Sequence, residues 1–385
     1  MAENIARLYE QGTWRKWIIP IISIVTLLTC IQQINVHNYN NINIFRYSSL
    51  HLLAHQPLYI EYPQSYFDYY LYHPAFTVLF MPFAYLSAPA ALCVWICLSM
   101  AVFFRTIQLL PGITDASKKI ILLLALPELI NNQQYVQTNI FLTSLMLLAF
   151  IYFERGMLFW AAFFSVLAFC IKGYGGITGL LFLLYPGRLK FLGYSFFWVL
   201  LITALPLLFV SFHETITYYT DWLKMISSDE IKEGMSVVGK WGKTHTSELF
   251  ITITALILLV STFVQPLRHA AIRNNFYFRG LLCCYLLVWV VLFNRAAESP
   301  TYLLATTGLA FWFILDGFKK ENMYMTSLVL FVSYLFLSDI FPGFIHRFFR
   351  VHHMKPYAFM LFFLYLQFQL FYKPYHARVN TATYQ

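Results

Sequence analysis

Two carboxylates and one ammonium stand where they could do chemistry. Asp68 and Glu61 lie in a long polar stretch, His37–Pro74, which reads NINIFRYSSLHLLAHQPLYIEYPQSYFDYYLYHP from Asn41 onward. A carboxylate within hydrogen-bond reach of a hydroxyl can take its proton as that oxygen attacks, so either acid is a candidate general base. Seven tyrosines between Tyr47 and Tyr72 supply flat faces for a ligand ring, with Tyr69 and His73 close to Asp68 in sequence. Lys172, in AFCIKGYGGITG, sits between two apolar runs with glycines just after it. A charge in hydrocarbon costs about 2.5–3.5 kcal/mol even on the lenient insertion scale, and a bound anion such as a phosphate would offset it. The ordinary alternative is a lysine snorkelling to the interface.

The remaining ionisable groups carry plainer readings. Arg295 and Glu298, in VLFNRAAESPTYLLA, could pair on one helical turn or face a substrate. Glu128 follows Pro127 and is expected at the water boundary, and Asp316 and Asp339 are expected to be solvated at span ends. Arg105 is expected to snorkel. His51 and His55 have the i,i+4 spacing of a ligand pair, but a structural or headgroup-contacting role is the stronger reading. Six cysteines lie inside apolar runs, Cys93 and Cys97 on one helix face; with no His or acid near in sequence they are expected to be buried thiols, without disulfides or zinc.

The elements that hold these residues must be membrane helices. The chain is 59% hydrophobic and 11% charged with a mean hydropathy of +0.62, and its apolar runs lack the alternation of strands. The expectation is an all-α polytopic membrane protein of about eleven to thirteen transmembrane helices. It is read as one domain over residues 1–385. The net charge of +9 is taken as the basic excess of cytoplasmic loops rather than a nucleic-acid footprint.

The N-terminal segment, with Arg7, Arg15 and Lys16, is expected in the cytoplasm, and its lack of a cleavage site leaves Trp17–Ile34 as an anchoring first span. That span delivers the outer loop 35–74, in which Ile44–His55 should form a helix along the membrane surface. Ala75–Leu86 is expected to cross or be re-entrant, and Met157–Tyr185 to be one broken helix or two. Lys118-Lys119, Glu154-Arg155 and Arg188–Lys190 all look cytoplasmic, and simple alternation cannot put them on one side unless one segment fails to cross. A second polar loop, 213–247, holds Asp221, Asp229, Glu230, Lys240 and Lys243 and is long enough to cover a site. Its GKWGKT lacks the spacing and context of a phosphate-binding loop.

The order of short motifs resembles a known family. N-x-x-x-I-F-x-Y-S, L-Y, Y-P-x-x-Y-F-D and Y-x-P come first, followed by V-Q-x-N, E-R-x-x-x-F-W-A-A, F-x-I-K-x-x-G, S-V-V-G-K-W and A-E-S-P-T. Over roughly residues 17–320 this resembles the GT-C glycosyltransferases, specifically glycosyltransferase family 87, the polyprenyl-phosphate-mannose-dependent group. The resemblance implies an inverting transfer of mannose or another hexose or pentose from a polyprenyl-phosphate donor to a lipid or glycan acceptor. It places the reaction on the non-cytoplasmic face of a bacterial-type plasma membrane and implies no cofactor, metal or nucleic acid. Membrane lipids would be the other partners. The positions carried over are the outer stretch with its acid, Gln137 and Asn139, Lys172, and the segment ending Ala297-Glu298-Ser299-Pro300. Asn41 stands where many members have an aspartate base, and Thr301 and Tyr302 stand where many have a histidine pair. Asp68 or Glu61 must then supply the base. A transporter or flippase would use Lys172 and the glycines without needing the aromatic, acid-bearing loop. A glycan polymerase or ligase also remains open.

Overall fold

The computed structural model describes residues 16–228, 235–242, 244–337 and 342–372, leaving Arg7, Arg15, Asp229, Glu230, Lys243 and Asp339 outside the described residues. It is all-helical, with no strand among the described residues. Helix α1 (Ile18–Asn35) leads to α2 (Asn40–Leu53), an irregular stretch to His73, α3 (Pro74–Ala84) and α4 (Ala88–Leu109). Then come α5 (Asp115–Gln134), α6 (Asn139–Glu154), α7 (Leu158–Ile171), a 3-10 segment (Gly173–Leu184) and α8 (Arg188–Thr203). The second polar loop supplies α9 (Phe212–Ser228) and α10 (Val237–Trp241). After it run α11 (His245–Arg268), α12 (Ala270–Arg273), α13 (Phe276–Leu292), α14 (Tyr302–Asp316), α15 (Lys320–Leu337), α16 (Gly343–Val351) and α17 (Met354–Tyr372).

Start signals in the sequence set several of these helices. Thr114 accepts from Ser117 N at 3.2 Å to cap α5. Thr244 and Ser247 form a reciprocal capping box at the head of α11. Pro74 and Pro89 occupy the first helical turns of α3 and α4, where a missing N–H removes no intrahelical bond. Among the described residues, α1, α4 and α11 are long and apolar enough to cross a membrane. The chain is an all-α polytopic membrane protein. α6, α13 and α14 are almost wholly buried and form the interior. α1, α8 and α11 expose leucines, isoleucines and phenylalanines around the outside, an apolar surface that suits lipid rather than water.

The helix ends resolve the conflict among the basic corners. Glu154 at the end of α6 is gripped by Arg279 of α13, with Nε–Oε1 at 2.7 Å and Nη2–Oε2 at 2.8 Å, and Tyr185 donates to the same carboxylate. Gly112, before α5, lies against Phe276, so close that a Cβ there would meet the ring at 2.3 Å. The turns at 110–118, 154–157 and 185–190 therefore share one end of the bundle. Counting back, α4 begins at the opposite end. Helix α3 starts and finishes at that opposite end, since its 11 residues reach about 16 Å, roughly half the hydrocarbon thickness. α3 therefore does not run the length of the bundle, which lets the three basic corners share one end.

Three expectations are corrected. Glu128 is not at the water boundary; it is fully buried and paired with Lys355 at 2.6 Å. Asp316 is 3% exposed and accepts from Tyr277, from Asn322 at 3.1 Å and from Gln369 at 3.0 Å. A carboxylate with that many donors needs no solvent. Of the cysteines, all free, Cys30, Cys170, Cys283 and Cys284 are buried, but Cys93 is half-buried and Cys97 exposed, although both lie beside Cys30 of α1.

Candidate functional site

Opposite the Glu154–Arg279 end, the bundle encloses a cavity of about 480 Å³. Its walls come from five parts of the chain: the outer stretch, the α5–α6 turn, the α7/3-10 joint, α9 and the turn before α14. Eight of the ten sequence-predicted residues border it: Asn41, Asp68, Tyr69, His73, Gln137, Lys172, Arg295 and Glu298. Glu61 and Asn139 do not; each touches a residue that does.

The acid wall begins at α2. Asn40 clamps the backbone of Phe67 at two points, accepting from its N at 2.7 Å and donating to its O at 3.0 Å. This holds the next residue, Asp68, in a left-handed conformation at φ +78°. Aspartate tolerates that region better than most residues, and strain of this kind gathers at functional sites. Asp68 Oδ1 accepts from Tyr69 N at 2.8 Å, which fixes the carboxylate's rotation. Glu61 accepts from the Tyr69 hydroxyl at 2.7 Å, raising the phenol's pKa, and so stands behind the wall rather than in it. Asn41 donates to Tyr135 O at 2.6 Å, binding α2 to the end of α5.

The cation wall is built at a chain break. α7 ends at Ile171, Lys172 is extended at φ −145° and ψ 120°, and the 3-10 segment turns back along α7. Gly175 permits that return: a Cβ there would meet Ala168 O at 2.6 Å and Leu142 Cδ1 at 2.4 Å. The Lys172 ammonium donates to Asn139 Oδ1 at 3.0 Å, so the first residue of α6 orients it. Lys172 therefore borders the cavity. Gln137 donates to Glu298 at 3.2 Å. Arg295 and Glu298 are not ion-paired on one helical turn as the spacing allowed, because Arg295 pairs with Glu248 of α11 at 2.9 Å.

α9 roofs the chamber and stitches the two polar loops together. Trp222 donates to Leu71 O at 3.2 Å, Tyr218 to Gln56 O at 3.1 Å, and His55 pairs with Glu214 at 2.8 Å. Ser211's hydroxyl, then its backbone N–H, then His55 draw the Glu214 carboxyl down to about 2. His73 faces the edges of Tyr219 and Trp222 and accepts from Ala75 N at 3.2 Å, capping α3. Burial holds its pKa down to about 4, which keeps the ring neutral. His51 is stacked on Tyr62 at 3.7 Å, apart from His55's partner, so the two histidines play structural parts and not those of a ligand pair. No group of three or more metal-ligating side chains occurs among the described residues.

Sequence reasoning missed Asn40, Trp222, Tyr174 and Asn294. Tyr174 followed the flagged lysine by two residues; a two-point asparagine clamp leaves no sequence signal. A comparison with curated proteins returned no match. The profile of glycosyltransferase family 87 matches residues 70–334, which takes in Gln137, Lys172, Arg295 and Glu298 and begins just after Asp68. With more than half of its length matched, this chain belongs to glycosyltransferase family 87.

Proposed function

We propose that this membrane glycosyltransferase moves a sugar, mannose or another hexose or pentose, from a polyprenyl-phosphate carrier to a lipid or glycan acceptor, with inversion, on the non-cytoplasmic face. The observation that carries the reading is a single cavity with Asp68 on one wall and Lys172 on another. The carrier phosphate would sit by Lys172, where the ammonium stabilises the charge that grows as the sugar–phosphate bond breaks. Asp68 would take the proton of the acceptor hydroxyl as its oxygen attacks the anomeric carbon from the opposite side. Tyr69, Tyr72 and Trp222 would flank the sugar, and Glu61 would act only by holding Tyr69. Apolar Phe169, Leu223 and Ile226 border the same space and suit the first units of a lipid tail. Holding donor and acceptor in one chamber supplies a large part of the acceleration.

The test is release of polyprenyl phosphate by purified protein given a polyprenyl-phosphate sugar and an acceptor. Asp68→Asn should lower kcat by about 10²–10⁴-fold with carrier KM little changed. Lys172→Met should raise carrier KM by about 10–100-fold, the worth of a hydrogen bond to a charged group. Charge matching is assigned to side chains, so turnover is expected to persist in EDTA. Unchanged kcat in Asp68→Asn would remove that base, and no transfer from any such donor would end the reading.

A further inference from the structure

We infer that the buried Glu128–Lys355 ion pair is a positioning device for the chamber, fixing the turn that presents Glu298. The inference rests on the chamber reading above for its effect on turnover, but not for its geometry. Both side chains are 0% exposed, at 2.6 Å, in the interior of a membrane protein. Such a pair leans on whatever further hydrogen bonds its two ends can make. Glu128 Oε1, the oxygen that meets Lys355, also accepts from Ser333 Oγ at 2.8 Å, on α15, while Oε2 makes no hydrogen bond among the described residues. The ammonium lies 4.7 Å over the Tyr302 ring, on α14. It also faces Ser299 O and Oγ at 3.4 and 3.5 Å. An ion pair that served only to tie α5 to α17 would not need that last contact.

The turn Ser299–Thr301 is held from a second direction by the same helix. Asn132, one turn after Glu128, donates to Glu128 O at 2.8 Å and to Pro300 O at 2.8 Å. Thr301 Oγ1 accepts from Glu298 N at 3.1 Å. Ser299, Pro300 and Thr301 are thus each pinned, and the side chain just before them enters the chamber and meets Gln137. Lys355 lies beyond residue 334, where the family match stops. The C-terminal helix α17 therefore completes the site from outside the matched region.

Removing one partner would strand a buried charge and threaten folding, so the test is the neutral double variant Glu128→Gln/Lys355→Met, which keeps volume and removes both charges. Its melting temperature should stay within a few degrees of wild type. Its carrier KM should rise at least tenfold. Amide hydrogen exchange in the peptide covering 294–302 should quicken at least tenfold, while 139–154 is unchanged. The control is Glu154→Gln/Arg279→Met at the far end of the bundle, which should leave KM and the 294–302 exchange alone. Wild-type KM together with wild-type exchange in the first variant would make the pair purely structural and overturn the inference. If wild-type protein transfers no sugar from any polyprenyl-phosphate donor, the proposed function fails, and the exchange measurement still decides the role of the pair.

Discussion

His73 shows how a residue at the chamber wall can tie stability to pH. Its Nδ1 accepts from Ala75 N, so the cap on α3 requires a neutral ring. Burial puts its folded pKa near 4, below the ordinary value of 6.5. The unfolded chain binds the proton more readily, so the cap's contribution is full above about pH 6.5 and is lost as pH falls toward 4. An asparagine at this position offers a capping oxygen that does not titrate. His73→Asn should therefore lose less melting temperature than wild type between pH 6.5 and 4; parallel losses would show that the histidine does not set the slope. At this scale the sequence was informative where a charge was out of place. Asp68 and Lys172 stood out because so few residues of the chain are charged. Lys355 did not, since a lysine at the start of an apolar run reads as a flanking snorkeller. Glu128 misled because the polar residues after it, INNQQ, look like a boundary, whereas Asn131, Asn132 and Gln133 are buried and Asn132 reaches the turn at Pro300.

At the scale of elements, the joint between α7 and the 3-10 segment decides where Lys172 points. The segment runs 12 residues, long for 3-10 geometry. Its close return along α7 depends on Gly175 having no side chain. Gly175→Ala would press a methyl onto backbone oxygen Ala168 O, which cannot swing aside as a side chain end could. Overpacking of this kind costs about 1–3 kcal/mol. The variant should melt lower by that amount and raise carrier KM as well, because the joint shifts; wild-type values for both would mean that the segment yields easily. The glycines made this break legible in the sequence, and a helix in the first polar stretch was legible from its periodicity, though it starts at Asn40 rather than Ile44. That α3 does not run the length of the bundle was half legible: its run is short, and the shared end of the three basic corners completes the argument. The roof, α9, could be expected from loop length alone, whereas its tryptophan and tyrosine stitches to the first loop depend on contacts between residues far apart in sequence.

For the whole molecule, chemistry and anchorage are kept at opposite ends of the bundle. The chamber end holds Asp68, Lys172 and Glu298, while the other end is closed by Glu154, which takes Arg279 in a two-point bond and Tyr185 in a third. Arg279 also lies over the Tyr185 ring at 5.2 Å. The pair is nearly buried, with 13% and 3% of the two side chains exposed. Substituting the arginine alone strands a carboxylate, which costs about 3–5 kcal/mol. Arg279→Met should accordingly lower the melting temperature sharply and cut the yield of folded protein. The fraction that remains folded should keep wild-type carrier KM, because α6 and α13 each lie between the clamp and the chamber. Measured on the same preparation, a large KM change with an unchanged melting temperature would show that the two ends move together, and the separation of anchorage from chemistry would have to be abandoned.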